Sequence, residues 1–338
     1  MTGQMSALDL DHAVEMLRAH CDNPSGFLAL NHGNRRYTAP DVDGVVFYRE
    51  AGRCWIQFGG PIAAAADRPE LLRRFREAAR LRGRRVLAVQ VPESDAPLYA
   101  GQGFTVNQFG MSYAVDLAGF TLRGKKFVKL RNKIARAKRL GVTPAEVDPA
   151  GHADALDRID GRWLRSKGRF AREMAFMIGE VGGPAQPLRR LFVATMADEP
   201  IAYISYSPVY GPRPGWLHDL SRRVPGPTPG VMELTNLFAL ERFRDEGSPW
   251  LHFGFTPFTG LGPEHRMPTA SKPVDAAMRL LAEKGDAIYP AHGQLDYKLK
   301  WDPGYRTPDY LAFDGRLTPS LAWNLLRVTN LIPNSLRA

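Results

Sequence analysis

The spacing of apolar residues predicts a chain that alternates between helices and strands. In residues 67–82, Leu71 and Phe75 recur at an interval that places them on one face of a helix. The same spacing in residues 6–20, with Ser6 as the capping residue, predicts an amphipathic helix near the start of the chain. Further helices are predicted, in chain order, at residues 96–100, 123–141, 151–166 and 231–246.

Short apolar runs bounded by turn residues predict strands between these helices. Residues 44–49 and 53–58 are typical of a hairpin with its turn at 50–52, and residues 84–91 of a buried strand. Further strands are predicted at residues 112–117, 191–195, 201–206 and 250–254. The pattern therefore predicts an α/β (α+β) fold with a mostly antiparallel sheet. The order of hairpin, long helix and strand recurs in both halves, which predicts two related units.

Composition places the chain among soluble globular proteins. It has 338 residues, of which 44% are hydrophobic and 24% charged. No apolar run reaches the roughly 18–20 residues that a membrane span needs, and the N-terminus lacks the basic and apolar regions of a secretory signal. Cys21 and Cys54 are too few for a disulfide framework, so we expect the protein to be reduced and cytoplasmic. The lack of a long apolar run predicts that it has no transmembrane segment.

Positive charge narrows the class of partners. The chain has 45 Lys and Arg against 35 Asp and Glu, a net charge of +10, which favours nucleic acid, an anionic membrane face or a phosphorylated ligand. A solvated basic surface is the alternative. Residues 123–141 contain nine basic residues and no acid, with Phe127, Leu130 and Ile134 on an apolar stripe. This segment is predicted to be a basic amphipathic helix.

The first candidate for chemistry is the loop at 224–230, which is rich in Pro and Gly and leads directly into a predicted helix. Exposed amides at such a helix start suit an anion or a carbonyl oxygen. Asp219, Arg222 and Glu233 flank this loop, and we expect them to converge there. The alternative is a structural Asp–Arg pair, with Glu233 only favouring the helix dipole.

Two further segments are candidates. Residues 253–262 form a strand end that opens into a glycine-rich loop, which either lines a pocket or is an ordinary surface loop. In residues 295–303, alternation predicts a strand with aromatic residues on one side and Lys298 and Lys300 on the other. A solvated lysine face is the alternative there.

Several familiar sites are missing from the sequence. We find no glycine-rich dinucleotide loop, P-loop or nucleophile elbow, and the histidines show no metal-ligand spacing, so no metal site is predicted. His218 and Asp219 are adjacent, but neighbours in a strand point to opposite faces, so we do not expect an acid–base pair.

Seven ordered motifs carry a resemblance to a known family. They are Phe120–Lys126, Leu130–Arg139, Tyr206–Tyr210, Asp219–Arg222, Gly230–Leu234, Phe253–Pro257 and Tyr297–Pro303. In this order they resemble the soluble C-terminal catalytic region of bacterial multiple peptide resistance factors, the lysyl- and alanyl-phosphatidylglycerol synthases. The resemblance spans nearly the whole chain, from about residue 25 to residue 315.

The resemblance implies tandem GNAT-like (acetyltransferase-like) domains joined by the basic helix. The implied domains are an N-terminal GNAT-like domain at 1–122, the connecting helix at 123–141, and a C-terminal GNAT-like domain at 142–338 with the active site. It also implies that aminoacyl-tRNA is a co-substrate and that no cofactor is used.

The resemblance also implies residue roles. Asp219, Arg222, Glu233 and one of Lys298 and Lys300 fall on functionally important family positions. The basic helix is expected to hold the tRNA acceptor stem through Lys125, Lys126, Lys129, Arg131, Lys133, Arg136, Lys138 and Arg139. Pocket residues are expected among Tyr206, Tyr210, Phe253, Gly254 and Thr256.

The implied reaction is transfer of an amino acid from the 3′ ester of tRNA to a hydroxyl, hydroxylamine or amine. Residues 110–113 stand where the family usually has an acidic segment, and the chain lacks the family's membrane-spanning half. These departures favour a small soluble acceptor, as in the related seryl-tRNA-dependent branch of valanimycin-type antibiotic biosynthesis. The alternative is a peripheral aminoacyl-phosphatidylglycerol synthase at the inner membrane face, with 317–332 as an interfacial helix anchored by Trp323.

Two other functions remain open. A non-catalytic RNA-binding protein would keep the basic helix, but it would not need Asp219, Arg222 and Glu233. For a coenzyme A-dependent N-acetyltransferase, Arg80–Arg85 does not complete the [QR]-x-x-G-x-[GA] pyrophosphate loop.

Overall fold

A mixed sheet runs through the molecule, flanked by helices on both faces. The computed structural model describes residues 7–166, 175–226, 228–284 and 291–330. The strands are β1 (Arg35–Ala39), β2 (Val42–Ala51), β3 (Cys54–Phe58), β4 (Ile62–Ala63), β5 (Arg85–Pro92), β6 (Phe104–Asp116), β7 (Thr143–Val147), β8 (Arg190–Met196), β9 (Glu199–Val209), β10 (Gly215–Arg223), β11 (Trp250–Pro257) and β12 (Tyr305–Asp314). The helices are α1 (Ala7–His20), α2 (Arg68–Leu81), α3 (Ala96–Gly101), α4 (Val128–Arg139), α5 (Ala153–Ser166), α6 (Val231–Asp245), α7 (Lys272–Lys284), α8 (Ala291–Leu299) and α9 (Pro319–Val328).

The strand order confirms the predicted α/β class and the mostly antiparallel sheet. Across the described residues the order is β1-β2-β3-β5-β12-β6-β11-β10-β9-β8-β7, and β4 pairs with β2. Parallel pairing occurs between β3 and β5 and between β10 and β11. The other described pairs are antiparallel.

The two parallel pairs reveal the related units that the sequence predicts. In each unit a helix connects the two parallel strands: α2 joins β3 to β5, and α6 joins β10 to β11. The apolar stripe of α2 buries Leu72 and Phe75, and that of α6 buries Leu240 and Phe243, all with no exposed surface. Burial of these stripes stabilises each helix against its own part of the sheet.

The two units exchange a strand. β6 follows the N-terminal parallel pair in sequence but pairs with β11, whereas β12 follows the C-terminal pair and joins β5. The exchanged strands also pair with each other along their length, from Tyr305 opposite Ala114 to Asp314 opposite Phe104. The division at 1–122, 123–141 and 142–338 stays a prediction, with the qualification that β12 is part of the N-terminal unit's sheet.

An opening between β10 and β11 positions the candidate site. The parallel pairing of these strands ends where Leu217 lies opposite His252. Beyond that point β10 follows β9 while β11 follows β6. The carboxyl ends of the two strands therefore diverge, and His218 and Gly254 border the gap. Ligands of α/β folds bind at such carboxyl ends.

The strand predicted at 295–303 is wrong: these residues form the end of helix α8 and the turn that follows it. The alternation suggested a solvent-exposed lysine face, but Lys298 is only 8% exposed and points inward. A lysine that is buried in this way cannot be distinguished from a surface lysine by sequence pattern. Tyr297 of the helix contacts Trp301 in the turn that follows, with ring centroids 6.4 Å apart.

The helix predicted at 317–332 is observed as α9, and residues 331–332 lie outside the described part of the chain. α9 packs on β2 and β3, burying Leu321 and Asn324, while Trp323 is 40% exposed. No helix within the described residues is long and apolar enough to cross a membrane.

Candidate functional site

The start of α6 lies directly against the basic helix α4. Gly230 precedes α6 with a positive φ of 85°, and no side chain caps the helix. A Cβ atom at Gly230 would lie 2.0 Å from the carbonyl oxygen of Lys133, so only glycine permits this close approach. The uncapped amides of the first turn of α6 are therefore next to a cationic helix, an arrangement that suits an anion.

Glu233 connects α6 to two lysines from distant parts of the chain. Its carboxylate Oε1 lies 3.3 Å from Lys133 Nζ of α4 and 3.2 Å from Lys300 Nζ after α8. Burial raises the pKa of Glu233, but the positive charges of Lys300 and Lys133 lower it by more than burial raises it. The pKa of Glu233 is therefore below its usual value. Glu233 is thus ionised at neutral pH and orients two ammonium groups at the start of α6.

Asp219 lies on the opposite face of the sheet from Glu233. A bulge between His218 and Leu220 turns it toward Arg189, whose Nε lies 3.4 Å from Asp219 Oδ2, and neither side chain is exposed. The backbone amide of Gly179 donates to the Asp219 carbonyl oxygen at 2.9 Å, and a Cβ at Gly179 would overlap the carboxylate. Burial raises the pKa of Asp219 even though Arg189 opposes this shift. Asp219 therefore attaches the segment before β8 to β10.

Arg222 shares the face of Asp219 and contacts α5. Its guanidinium lies 4.1 Å from the ring centroid of Trp163, and its Nε is 3.9 Å from Asp160 Oδ1. The structure thus joins Glu233 to Lys300, whereas Asp219 and Arg222 make their contacts on the other face. The expected convergence of Asp219, Arg222 and Glu233 on one point is not supported by these contacts.

Lys298 binds the backbone of β11 where β10 and β11 diverge. Its Nζ donates to the carbonyl oxygens of Gly254 and Phe255, both at 2.8 Å. Burial lowers the pKa of Lys298 to about 7. Burial also disfavours the charged form of Asp309 and raises its pKa to about 7, although Ser112 donates to this carboxyl group at 2.6 Å. Lys298 supports β11, while Lys300 is the lysine that reaches Glu233.

His218 is the residue of this site that sequence reasoning missed. Its ring lies on the α6 face, opposite Asp219, as strand alternation predicts. Its Nδ1 is 3.0 Å from Asn236 Oδ1, which also accepts from the hydroxyl of Tyr206 at 2.8 Å. Burial lowers the pKa of His218 to about 4, and Lys298 contributes to the lowering. The partner lies on the next helix along the chain, so adjacency to Asp219 was no guide to it.

The five predicted pocket residues lie in different surroundings, and their role in a pocket stays a prediction. Tyr206 and Phe253 surround His218, with ring centroids at 5.4 and 6.0 Å, and Gly254 accepts from Lys298. Tyr210 lies apart, on a cavity of about 340 Å³ between the two units. Thr256 is fully buried, and its carbonyl oxygen accepts from Thr259.

The basic residues predicted to bind tRNA are all exposed along α4 and the short 3₁₀ turn that precedes it. Three of them have partners: Lys126 with Asp302, Lys133 with Glu233, and Arg131 with backbone carbonyls that include that of Gly124 at 2.9 Å. Within the described part of the chain, the others make no ion pair: Lys125, Lys129, Arg136, Lys138 and Arg139.

Metal ligation has no support from the described side chains, among which no three His, Cys, Asp or Glu residues form a group that could hold a metal ion. Cys21 and Cys54 are both free and buried.

The fold that these elements build has two parallel strand pairs that are each joined by a helix, in agreement with the tandem GNAT-like (acetyltransferase-like) domains that the resemblance implies. A family model described as phosphatidylglycerol lysyltransferase, C-terminal, matches residues 14–313 of the chain. The chain therefore belongs to this family.

Curated relatives agree with this assignment. A phosphatidylglycerol lysyltransferase of Bacillus subtilis is 27% identical over 326 residues, which are 93% of this chain and 36% of the relative. One from Staphylococcus epidermidis is 23% identical over 332 residues, which are 96% of this chain and 38% of the relative. The chain thus spans little more than a third of the length of these relatives.

Solved structures show the same fold. The C-terminal domain of a protein described as a lysylphosphatidylglycerol synthetase from Agrobacterium fabrum has a TM-score of 0.77 at 24% identity, covering 98% of this chain and 99% of that chain. The L-PGS of Bacillus licheniformis also has a TM-score of 0.77, at 21% identity, covering 97% of this chain and 99% of that chain.

Proposed function

We propose that this chain is an aminoacyltransferase that moves an amino acid from aminoacyl-tRNA to phosphatidylglycerol. The curated relatives are named for a lipid acceptor, which favours the alternative of the sequence analysis over a small natural-product acceptor. A peripheral contact with the membrane face follows from such an acceptor and is part of this proposal.

The contact of Glu233 with both Lys133 and Lys300 is the observation that carries the proposal. Through Lys133, the exposed basic helix is continuous with a charged cluster at the uncapped start of α6. A tRNA acceptor stem on α4 would therefore bring its 3′ end toward this cluster. The exposed cations supply the phosphate contacts that such binding needs.

The chemistry needs no cofactor, because the 3′ ester of aminoacyl-tRNA is already activated. Orientation of the ester, stabilisation of the tetrahedral oxyanion and a proton acceptor are sufficient. Lys300 and the amides of the first turn of α6 are placed to stabilise the oxyanion or the terminal phosphate, and Glu233 orients Lys300. Asp219 acts from the other face, as a residue that positions β10.

The position of Arg80–Arg85 in the fold argues against a coenzyme A-dependent reaction. These residues end α2 and begin β5. The carboxyl end of a helix carries negative partial charge, which repels a pyrophosphate.

The experiment is a transfer assay with radiolabelled lysyl-tRNA and then with bulk tRNA charged with other amino acids. Acceptors are vesicles of phosphatidylglycerol, vesicles of phosphatidylcholine, and an alkylhydroxylamine. We expect label to enter only the phosphatidylglycerol fraction. Label that enters the hydroxylamine instead would overturn the lipid acceptor, and label that stays on every tRNA would overturn the proposal.

A matched pair of variants tests the site within this assay. Glu233→Gln removes the charge that holds Lys133 and Lys300, and we expect kcat to fall by about 100-fold, in the range of lost electrostatic stabilisation. Glu241→Gln changes an exposed glutamate of the same helix and serves as the control. Equal activity of the two variants would contradict the assignment of Glu233.

A further inference from the structure

His218 offers a basic atom that the site described so far leaves unused. Its Nδ1 is engaged by Asn236, but its Nε2 has no hydrogen-bond partner among the described residues. The residue is partly exposed. Because Asn236 Oδ1 only accepts, Nδ1 carries the proton and Nε2 presents a lone pair.

The position of His218 is close to the charged cluster. Asn236 lies three residues after Glu233, on the same side of α6. Tyr297 packs against His218 with a centroid distance of 5.7 Å, and its hydroxyl donates to the carbonyl oxygen of Met232 in the first turn of α6 at 3.3 Å. His218 thus contacts α6 about one helical turn beyond Glu233.

The other candidate bases of the site are engaged. The carboxylate of Glu233 is held by the ammonium groups of Lys133 and Lys300. Asp219 is buried against Arg189 on the opposite face, and Lys298 donates to two carbonyl oxygens. His218 differs from these groups in its geometry, because its Nε2 has no hydrogen-bond partner among the described residues. The ring is neutral at pH 7, so this nitrogen can accept a proton.

We propose that His218 is the general base of the transfer reaction, with Asn236 as the residue that fixes its tautomer. This inference rests on the proposed function. Nε2 takes the proton of the attacking acceptor hydroxyl as its oxygen bonds to the ester carbonyl carbon. The imidazolium then returns that proton to the ribose oxygen as the ester C–O bond breaks. Protons and electrons balance without a further reactant.

The test compares His218→Ala with His218→Asn, whose amide keeps a hydrogen-bonding group toward Asn236 but removes Nε2. In steady-state transfer from lysyl-tRNA to phosphatidylglycerol vesicles, we expect both variants to lose about 10²–10⁴-fold in kcat. The KM for tRNA should stay nearly unchanged, because in this mechanism His218 meets the tRNA only at the ribose oxygen of the reacting ester, while α4 supplies the phosphate contacts. Added imidazole should restore His218→Ala at least tenfold, which loss of a merely structural side chain would not allow.

His252→Ala is the matched control, because His252 is buried and its Nε2 donates to the carbonyl oxygen of Arg213 at 2.9 Å. Its activity should not respond to imidazole. The inference is overturned if wild-type protein transfers label while His218→Asn keeps more than a third of kcat, or if imidazole stimulates both alanine variants equally. Absence of transfer by the wild type overturns the proposed function instead.

Discussion

Asp219 and Arg189 form an ion pair without solvent contact, and its two partners come from segments 30 residues apart. Asp219→Asn keeps the shape of the side chain but leaves the guanidinium without an ionised partner. We expect the free energy of unfolding to fall by about 3–5 kcal/mol, the usual cost of leaving one buried charge unpaired. Urea unfolding followed by circular dichroism measures it.

The control for this residue pair replaces both charges with apolar side chains. Asp219→Leu combined with Arg189→Met removes the unpaired charge, so the double variant should be more stable than Asp219→Asn. If Asp219→Asn unfolds within about 1 kcal/mol of the wild type, the pair does not hold the segment before β8 as described.

At the scale of elements, the sequence predicts what depends on local periodicity. The apolar stripes of α2 and of the basic helix α4 predict bounds for these helices that lie within a few residues of the observed ones. The pattern fails at α8, where nine residues are too few to show a helical period and Lys298 is buried by contacts with β11. The exchange of β6 and β12 depends on pairing between residues far apart in sequence, which no local pattern encodes. The same distance hides the contact of Glu233 with Lys133 and Lys300.

Lys298 supports β11 at the opening between β10 and β11, so we expect its removal to destabilise this strand. Lys298→Met leaves the carbonyl oxygens of Gly254 and Phe255 without this donor, which costs about 1–3 kcal/mol of unfolding free energy for a buried unsatisfied group. Thermal or urea unfolding at pH 7 gives the value. Lys300→Met removes a lysine that is one-third exposed, and it should cost less.

The pH dependence separates the two lysines further. Burial lowers the pKa of Lys298 to about 7 in the folded state, against roughly 10.4 when unfolded. The unfolded state therefore binds more protons between these values, and this residue makes stability rise with pH from about 7 to about 10. The difference in unfolding free energy between wild type and Lys298→Met should change in that window. A constant difference would show that Lys298 is not held as described.

At the scale of the whole molecule, the net charge of +10 acts mainly where the cations have no partners. On α4 and its preceding turn, five basic residues make no ion pair within the described chain, whereas many other arginines are paired, as Arg190 is with Glu146 at 2.6 Å. Surface charge that is already paired releases few counterions from RNA. We therefore expect the salt dependence of tRNA binding to come from α4 rather than from net charge.

Glutamine variants of unpaired cations on α4 test this expectation. The triple change of Lys129, Arg136 and Arg139 should lower the slope of log K against log salt by nearly one unit per residue, because each lost phosphate contact releases one counterion fewer. The control is an equal charge change on α7, at Lys272, Arg279 and Lys284, which are exposed and far from α4 in sequence. Filter binding of tRNA over a salt series gives both slopes. Equal slopes for the two triple variants would mean that tRNA responds to total charge, and α4 would then lose its assigned role.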